Sequence, residues 1–298
     1  MSPTPPPTDC LVIGGGPAGL TAAIYLRRFH REVQLCDAGD GRALRIPLTK
    51  NFPGFPDGIS GAHLLDRLRL QLSQVGGAVQ QGTVEQLQRL DDGLFVAHVD
   101  GRKVRARTVI LATGIVDVIP ALPGAAELLQ AGRLRFCPIC DGFEFTGRHI
   151  GIIGSGAHGV REALFIRRFS HRVSYVCHGA KDASLLHPLD AAGVAVMDGA
   201  AGSLHAQTDE TVSLVTREGV EHRFDVLYAA LGSHTRSRLA LAVGAQADPA
   251  GGLHVDAHAR TSVQGLYAAG DVVCALDQLV VGMAHAATAA THIHNTLG

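Results

Sequence analysis

The sequence predicts an α/β fold with two Rossmann-like nucleotide-binding domains, the second inserted in the first. The length of 298 residues is close to that of two ordinary domains. A glycine-rich segment at residues 13–20 has a counterpart at residues 153–160. Both copies continue into a helical pattern and then into a short apolar strand, so each is typical of a βαβ unit.

Short apolar strands recur along the chain in the order that such domains require. The first unit has one such strand at residues 10–13 and another at residues 33–36. Residues 109–114 (VILATG) predict a buried strand that a glycine ends, and residues 226–232 (VLYAALG) repeat the pattern. The repetition indicates that two nucleotide-binding folds share one chain.

The C-terminal part of the sequence has a strand and a helix but no glycine loop of its own. Residues 265–269 form the predicted strand, and a long helix of small residues follows over about 278–295. The simplest topology uses this part to complete the first domain. We therefore expect a first domain of residues 1–115 and 244–298 and an inserted domain of residues 116–243.

The composition argues against several classes of function. The formal net charge is −1, so the chain has no basic field that would hold nucleic acid or an anionic membrane. No stretch approaches the roughly 18 apolar residues of a membrane span, and the first residues lack the pattern of a secretory signal. We expect a cytoplasmic protein that binds neither nucleic acid nor membrane.

The first glycine loop lies between a strand and a helix, the context in which glycines hold a dinucleotide pyrophosphate at a helix N-terminus. The positions predicted to contact a cofactor there are Gly14, Gly16, Pro17, Ala18 and Gly19. Asp37 ends the next strand, where a carboxylate can accept hydrogen bonds from ribose hydroxyls. The loop and the acid predict an adenine dinucleotide but do not distinguish FAD from NAD.

Cys137 and Cys140 are the pair that we expect to carry the chemistry. Two cysteines three apart at the start of a helical turn can close a small disulfide ring, and the helix dipole lowers the pKa of a thiolate. A zinc half-site is the main alternative, but no second cysteine pair or cysteine–histidine set has ligand spacing, and we predict no metal. A further alternative is that the two cysteines are inert thiols in the core. Pro138 and Asp141 argue against it, because they indicate an exposed turn.

These motifs resemble those of the low-molecular-weight thioredoxin reductases, over nearly the whole chain. Besides the glycine loops, the resemblance is carried by residues 51–61 (NFPGFPDGISG), 137–143 (CPICDGF) and 265–271 (GLYAAGD). It implies FAD as the cofactor, a homodimer, and a disulfide or dithiol substrate, either a thioredoxin-like protein or a small molecule.

The resemblance also implies roles for the residues around the thiols. The cysteine that matches Cys140 faces the flavin in that family, whereas the one that matches Cys137 meets the substrate. Asp141 matches an acid that donates and accepts protons. His285 lies seven residues after Gln278 on the same helical face, where it is either a further proton relay or a histidine packed among alanines.

Other positions match residues that contact the flavin in the family. Thr113 and Gly114 resemble the ATG motif of flavoproteins, and Gly270 and Asp271 resemble the GD motif. The aspartate of the GD motif bonds the ribityl chain of FAD. Further positions match residues that line the isoalloxazine: Asn51 and Gln278.

The sequence departs from the family at the end of the strand after the second glycine loop. The glycines that a nicotinamide dinucleotide would contact are retained: Gly154, Gly156 and Gly159. The counterpart of Asp37, however, is Cys177, and residues 177–179 read Cys-His-Gly where NADPH-dependent reductases carry His-Arg-Arg. Lys181 alone is a poor replacement for the arginine forks that hold a 2′-phosphate. This departure puts NAD(P)H in doubt as a cofactor.

The sequence therefore predicts an FAD-dependent thiol–disulfide oxidoreductase whose electron partner is open. A thioredoxin-reductase-like enzyme is the leading hypothesis. Relatives with degenerate second domains include dithiol oxidases, which pass electrons from a dithiol to oxygen without NADPH, and ferredoxin-linked disulfide reductases. A flavin-bound protein without turnover is a rival from a different class, and Cys137, Cys140 and Asp141 argue against it.

Overall fold

A computed structural model of the chain describes residues 6–179, 182–197 and 199–298. The strands are β1 (Thr8–Ile13), β2 (Val33–Asp37), β3 (Val79–Gln81), β4 (Val84–Arg89), β5 (Phe95–Val99), β6 (Arg102–Leu111), β7 (Ile115–Asp117), β8 (Leu134–Arg135), β9 (His149–Gly154), β10 (Arg172–Cys177), β11 (Ala195–Val196), β12 (Ala201–Ala206), β13 (Val212–Thr216), β14 (Glu221–Phe224), β15 (Val226–Ala230), β16 (Ser233–Thr235) and β17 (Leu266–Ala268). The α-helices are α1 (Pro17–Arg28), α2 (Gly61–Gln74), α3 (Ala125–Gln130), α4 (Pro138–Asp141), α5 (Gly156–Ile166), α6 (Ala183–Ala191), α7 (Arg238–Ala242) and α8 (Leu279–Leu297). Short 3₁₀ helices cover Arg42–Arg45 and Gly142–Phe145.

The chain divides into two compact units. The first unit consists of the chain up to Leu48, Gly58–Val116 and His234–Gly298, and the second of Thr49–Asp57 and Asp117–Ser233. Relative to the boundaries expected from the sequence, residues 49–57 group with the second unit and residues 234–243 with the first. Because these groupings depend on contacts between distant segments, local sequence patterns do not predict them.

The first unit is built on a seven-stranded sheet. Its strand order is β3-β2-β1-β6-β5-β4, with β17 also paired to β6. Strands β1, β2, β6 and β17 run parallel, and Leu111 at the end of β6 lies opposite both Ile13 and Ala268. The carboxyl ends of β1, β6 and β17 therefore lie side by side, which brings together the loops that follow them.

Helix α1 follows the first of these loops and packs against α8. Its start has Pro17 at the first helical position, which suits proline because no N–H is needed there, and its last turn has Arg27 and Arg28, which offset the helix dipole. The face of α8 that is buried consists mostly of small residues: Gly282, Ala286, Ala289, Ala290 and Ile293. These small side chains let the two helices approach closely.

The second unit has a five-stranded parallel sheet in the order β11-β10-β9-β15-β8. A three-stranded antiparallel sheet, β12-β13-β14, accompanies it. Tyr228 of β15 lies opposite Arg135 of β8, just before the cysteine pair. The α/β fold with two Rossmann-like units confirms the predicted fold class.

Within the described ranges, no helix combines the length and apolarity needed to cross a bilayer. The same residues contain no group of three or more His, Cys, Asp or Glu side chains arranged to hold a metal ion.

Candidate functional site

Two glycines of the first loop are required by the internal packing of the first unit. A Cβ atom added to Gly14, whose φ is +107°, would lie 2.3 Å from the carbonyl oxygen of Ala112. A Cβ atom added to Gly19 would lie 1.8 Å from the carbonyl oxygen of Gly14. Both distances are far below van der Waals contact, so α1, β1 and β6 can approach only because these residues lack a side chain.

Gly16 has no such internal reason to be glycine. Its φ of −72° is accessible to every residue type, and no atom lies within 4 Å of an added Cβ. It is the N-cap of α1, with Pro17 and Ala18 following it, so the space beside it opens at a helix N-terminus. Such a position favours glycine when the backbone must approach a pyrophosphate closely, and the loop therefore fits FAD.

Asp37 lies directly behind this loop. Its side chain is nearly buried, and its Oδ1 accepts a hydrogen bond of 2.9 Å from the backbone N–H of Gly15. A Cβ atom on Gly15 would lie 2.7 Å from the Asp37 carboxyl carbon. The carboxylate thus fixes the shape of the loop, and it lies at the strand end where a ribose would be bound.

Thr113 and Gly114 follow β6 at the same edge. The Thr113 hydroxyl donates to the carbonyl oxygen of Arg236 at 2.7 Å, and the Arg236 N–H donates to the Gly114 carbonyl oxygen at 3.0 Å. The Arg236 guanidinium forms a two-pronged ion pair with Asp40, with distances of 2.9 and 2.5 Å. Arg236 and Asp40 were not among the predicted site residues, because neither belongs to a recognised motif.

Gly270 and Asp271 lie close to the first loop, because Gly270 packs against Ala18 of α1 and Gly282 of α8. Gly270 has a φ of +82°, and an added Cβ would lie 3.1 Å from the Cβ of Ala18. The Asp271 carboxylate accepts from the Arg42 guanidinium at 3.1 Å. The GD pair therefore lies beside the start of α1.

The start of α8 carries the remaining predicted residues of the first unit. Gln278 is the N-cap of this helix, and its side-chain amide donates to the carbonyl oxygen of Asp277. His285 is half-buried, its Nδ1 is shielded from solvent, and this atom has no hydrogen-bond partner among the described residues. Burial lowers the pKa of His285.

Cys137 and Cys140 form a disulfide in the second unit. Cys137 is the N-cap of α4, the backbone N–H of Cys140 donates to its carbonyl oxygen, and both residues are partly exposed. Asn51 approaches the same turn, because its side-chain amide donates to the carbonyl oxygen of Ile139 at 3.4 Å. The disulfide is thus held in a tight turn whose two cysteines are both partly exposed.

Both carboxylate oxygens of Asp141 are held by side chains of neighbouring strands. The Arg135 guanidinium donates to Oδ2 at 2.5 Å, and the Tyr228 hydroxyl donates to Oδ1 at 2.5 Å. Tyr228 is fully buried, which, together with the charge of Asp141, raises the pKa of the phenol. Arg135 and Tyr228 were missed in the sequence, although a tyrosine in an otherwise apolar buried strand signals a buried polar partner.

In the second glycine loop, the side chain of Tyr175 packs against two of the three glycines. A Cβ atom added to Gly154 would lie 2.3 Å from the ring of Tyr175, and one added to Gly159 would lie 2.7 Å from the Tyr175 hydroxyl. Gly156 has a φ of +54°, which favours glycine without any ligand. All three glycines of this loop therefore have an internal explanation.

Strand β10, which follows this loop, ends at Cys177, the position that corresponds to Asp37 in the first unit. The Cys177 side chain is buried, while the backbone N–H of His178 donates to the carbonyl oxygen of Gly154. Gly179 follows with a φ of +102°. Lys181 lies outside the described residues. Neither a carboxylate nor an arginine stands at residues 177–179.

A dinucleotide cradle on one Rossmann-like unit and a redox disulfide on the other define the class of flavin-dependent disulfide oxidoreductases. The sequence model of the pyridine nucleotide-disulphide oxidoreductases matches residues 8–292, and the chain belongs to this enzyme family. The resemblance to the low-molecular-weight thioredoxin reductases within it is confirmed. FAD is the cofactor that the family implies.

Relatives and solved structures of this type cover most of the chain. It is 30% identical over 288 residues to the thioredoxin reductase of Streptomyces coelicolor, covering 89% of this chain and 86% of that protein. It is 30% identical to NADPH-dependent thioredoxin reductase 3 of Arabidopsis thaliana, over 89% of this chain and 53% of the relative. The crystal structure of HlmI superposes with a TM-score of 0.89 at 28% identity, covering 98% and 92% of the two chains. The match spans about half the length of the Arabidopsis protein, and 37% and 54% of two other relatives.

Proposed function

We propose that this protein is an FAD-dependent thiol–disulfide oxidoreductase that exchanges two electrons with a disulfide or dithiol substrate through Cys137 and Cys140. The disulfide of the second unit, with Asp141 directly after it, is the observation that carries the proposal. The open space beside Gly16 supports FAD as the cofactor. A thioredoxin-like protein is one substrate class, as the names of the relatives suggest, and a small-molecule dithiol is another.

When bound, FAD supplies a carrier of two electrons. Gly16 and the N-terminus of α1 would hold its pyrophosphate, Asp37 its ribose, and Asp271 with Thr113 the part that leads to the flavin ring. We propose that Gln278 and His285 of the first unit lie at the reacting end.

The thiol chemistry proposed for the protein's own residues conserves atoms and electrons. A substrate thiol bonds to the sulfur of Cys137, the bond between Cys137 and Cys140 breaks, and Cys140 leaves with the electron pair. The second substrate thiol then forms the product disulfide and displaces Cys137. Two electrons and two protons thus pass from the substrate to the cysteine pair, and Asp141 accepts and returns the protons. The reverse sequence reduces a substrate disulfide.

A second candidate is a dithiol oxidase that returns the electrons to oxygen instead of exchanging them with NAD(P)H. The second glycine loop favours it, because Tyr175 and the φ of Gly156 account for the glycines without a nucleotide. Residues 177–179 also offer no group suited to a ribose or a 2′-phosphate. The name of the Arabidopsis relative favours NADPH, so the two candidates make opposite predictions for this chain.

Anaerobic mixing experiments test the function and distinguish the candidates. Purified FAD-loaded protein is mixed with NADPH, NADH or a dithiol such as dithiothreitol, and the flavin absorbance is followed. Bleaching by a dithiol but by neither nucleotide, with colour and hydrogen peroxide returning in air, supports the oxidase. Rapid bleaching by NADPH or NADH supports the reductase.

Cysteine variants control for direct reaction of the dithiol with FAD. Cys140→Ser is expected to abolish bleaching by the dithiol, because the electron path through the disulfide is lost. Cys274→Ser is the matched control, since Cys274 is an exposed cysteine remote in sequence from the pair, and it should leave the bleaching unchanged. Bleaching of Cys140→Ser at the wild-type rate would exclude the proposed path.

A further inference from the structure

Asp141 belongs to a largely buried cluster in the second unit, and the proposed function assigns no role to the other members of this cluster. Its side chain is 14% exposed, that of Arg135 is 20% exposed, and Tyr228 is 1% exposed. Phe145 covers the cluster, with its ring 5.1 Å from the Arg135 guanidinium carbon and 6.5 Å from the Tyr228 ring. The carboxylate beside the redox disulfide is thus held from two sides, and Phe145 packs on both residues that hold it.

The sheet of the second unit determines this arrangement. Arg135 and Tyr228 are partners across the parallel pair β8–β15, although they lie far apart in the sequence. The chain leaves β8 directly into Cys137 and α4, which returns Asp141 to the two side chains. Any change in the register of this strand pair would remove one of the two donors.

The burial of this cluster costs desolvation free energy, which a purely structural role does not explain. The Arg135 Nε atom is buried and has no hydrogen-bond partner among the described residues, so the guanidinium loses hydration without full replacement. A buried ion pair is often no more stable than apolar residues of the same shape. A cost of this kind next to a reactive disulfide is typical of a functional site.

The two hydrogen bonds from Arg135 and Tyr228 leave the Asp141 carboxylate able to accept a proton. A carboxylate has about four acceptor positions, and Arg135 and Tyr228 use one on each oxygen. Because burial and the charge of Asp141 raise the pKa of Tyr228, the phenol stays protonated and remains a donor. Each oxygen of Asp141 therefore keeps a position for a thiol proton.

We propose that Arg135 and Tyr228 are positioning residues that hold the Asp141 carboxylate at the leaving sulfur of Cys140 during thiol–disulfide exchange. The inference rests on the proposed function, since it assigns these residues to the same reaction. In the first exchange, the substrate sulfur bonds to Cys137 and the Cys137–Cys140 bond breaks. Asp141 takes the proton of the attacking thiol and delivers it to the sulfur of Cys140.

The test measures the exchange step itself in the FAD-loaded protein. Anaerobic protein is mixed with dithiothreitol and quenched with iodoacetamide, and the labelled Cys137 and Cys140 are counted by mass. Arg135→Met and Tyr228→Phe are each expected to slow this step by about 10- to 100-fold, within the range of general acid–base catalysis. The dithiol concentration at half-maximal rate should stay within about twofold, because substrate binding is not the step affected.

Two controls separate a positioning role from a structural one. Arg135→Lys keeps a cation and is expected to recover most of the rate. In an Asp141→Asn background, Arg135→Met and Tyr228→Phe should each change the rate by less than about twofold, because residues that act through one group are not additive. Tyr228→Phe keeps the ring packed on Phe145, so it tests the inference even when Arg135→Met fails to fold.

The outcomes for this inference and for the proposed function are distinct. If the wild-type disulfide is not reduced by any dithiol, the proposed function fails. If the wild type reacts and Arg135→Met and Tyr228→Phe react at the wild-type rate, the positioning role is wrong. Equal slowing by Arg135→Met with and without Asp141 also overturns it, since the effect would not pass through the carboxylate.

Discussion

Two glycines of the first loop should respond in opposite ways to the addition of a side chain. We predict that Gly16→Ser leaves the flavin-free protein as stable as the wild type but weakens FAD binding. Gly19→Ala, in contrast, should destabilise the flavin-free protein itself. The two positions lie three residues apart, so the comparison separates a ligand constraint from a packing constraint at one site.

The magnitudes follow from the space around each residue. An added Cβ at Gly16 meets no atom within 4 Å, its φ is −72°, and serine is a favourable helix N-cap, so the free energy of unfolding should change by less than about 0.5 kcal/mol. At Gly19 the Cβ lies 1.8 Å from a backbone oxygen that cannot rotate away, so a loss of about 3 kcal/mol is expected. For FAD we expect at least a tenfold loss of affinity in Gly16→Ser, about 1.4 kcal/mol.

Urea unfolding of the flavin-free proteins and FAD titration followed by flavin fluorescence measure the two effects. Equal FAD affinity in Gly16→Ser and the wild type would refute the reasoning, because the space beside Gly16 would then not hold the pyrophosphate. A large loss of stability in flavin-free Gly16→Ser would refute it as well. In that case the glycine would serve the fold, as Gly19 does.

Three further predictions concern packing and charge. Gly154→Ala should destabilise the protein by about 1–3 kcal/mol in urea unfolding, and by clearly less in a Tyr175→Leu background; additive effects would contradict the assigned contact. Because burial lowers the pKa of His285 below its ordinary value of 6.5, the unfolded chain binds the proton more readily, and stability falls as the pH decreases through that value. His285→Gln should therefore lose less stability than the wild type between about pH 8 and pH 5, and an identical loss would exclude this contribution. The hydrogen bond from Arg236 lowers the pKa of Asp40, so the pair stabilises the fold above the ordinary carboxyl pKa and loses this effect in acid. A double-mutant cycle of Arg236→Gln and Asp40→Asn at neutral pH should give less than about 1 kcal/mol, since both side chains are partly exposed, and a larger coupling would refute the estimate.

The sequence was sufficient for features that depend on short segments. The strand that ends at Ile13, the turn at Gly14 and the start of α1 are encoded within about ten neighbouring residues, because glycine and proline constrain the backbone locally. The fold class followed from two such segments. The redox pair was equally local, since Cys137 and Cys140 lie in one helical turn.

Features that depend on strand pairing were not predictable. Arg135 reaches Asp141 only because β8 pairs with β15 in one register, and a single sequence does not encode which residue faces Tyr228. Likewise, nothing local to Asn51 indicates that its segment packs against the turn of the cysteine pair. The side chains that hold Asp141 were therefore missed, whereas the role predicted for Asp141 rests on its position after the pair and stays a prediction.

The two glycine loops show why a glycine fingerprint has to be tested residue by residue. In both loops the first and third glycines are explained by contacts inside the protein, so their presence does not by itself indicate a ligand. The middle glycine differs: Gly16 has an ordinary φ and open space, whereas Gly156 has a φ of +54°. The structure therefore gives an internal reason for the middle glycine of the second loop and none for that of the first. This asymmetry and Cys177, which stands where Asp37 stands in the first unit, are the two observations on which the proposed dithiol oxidase rests.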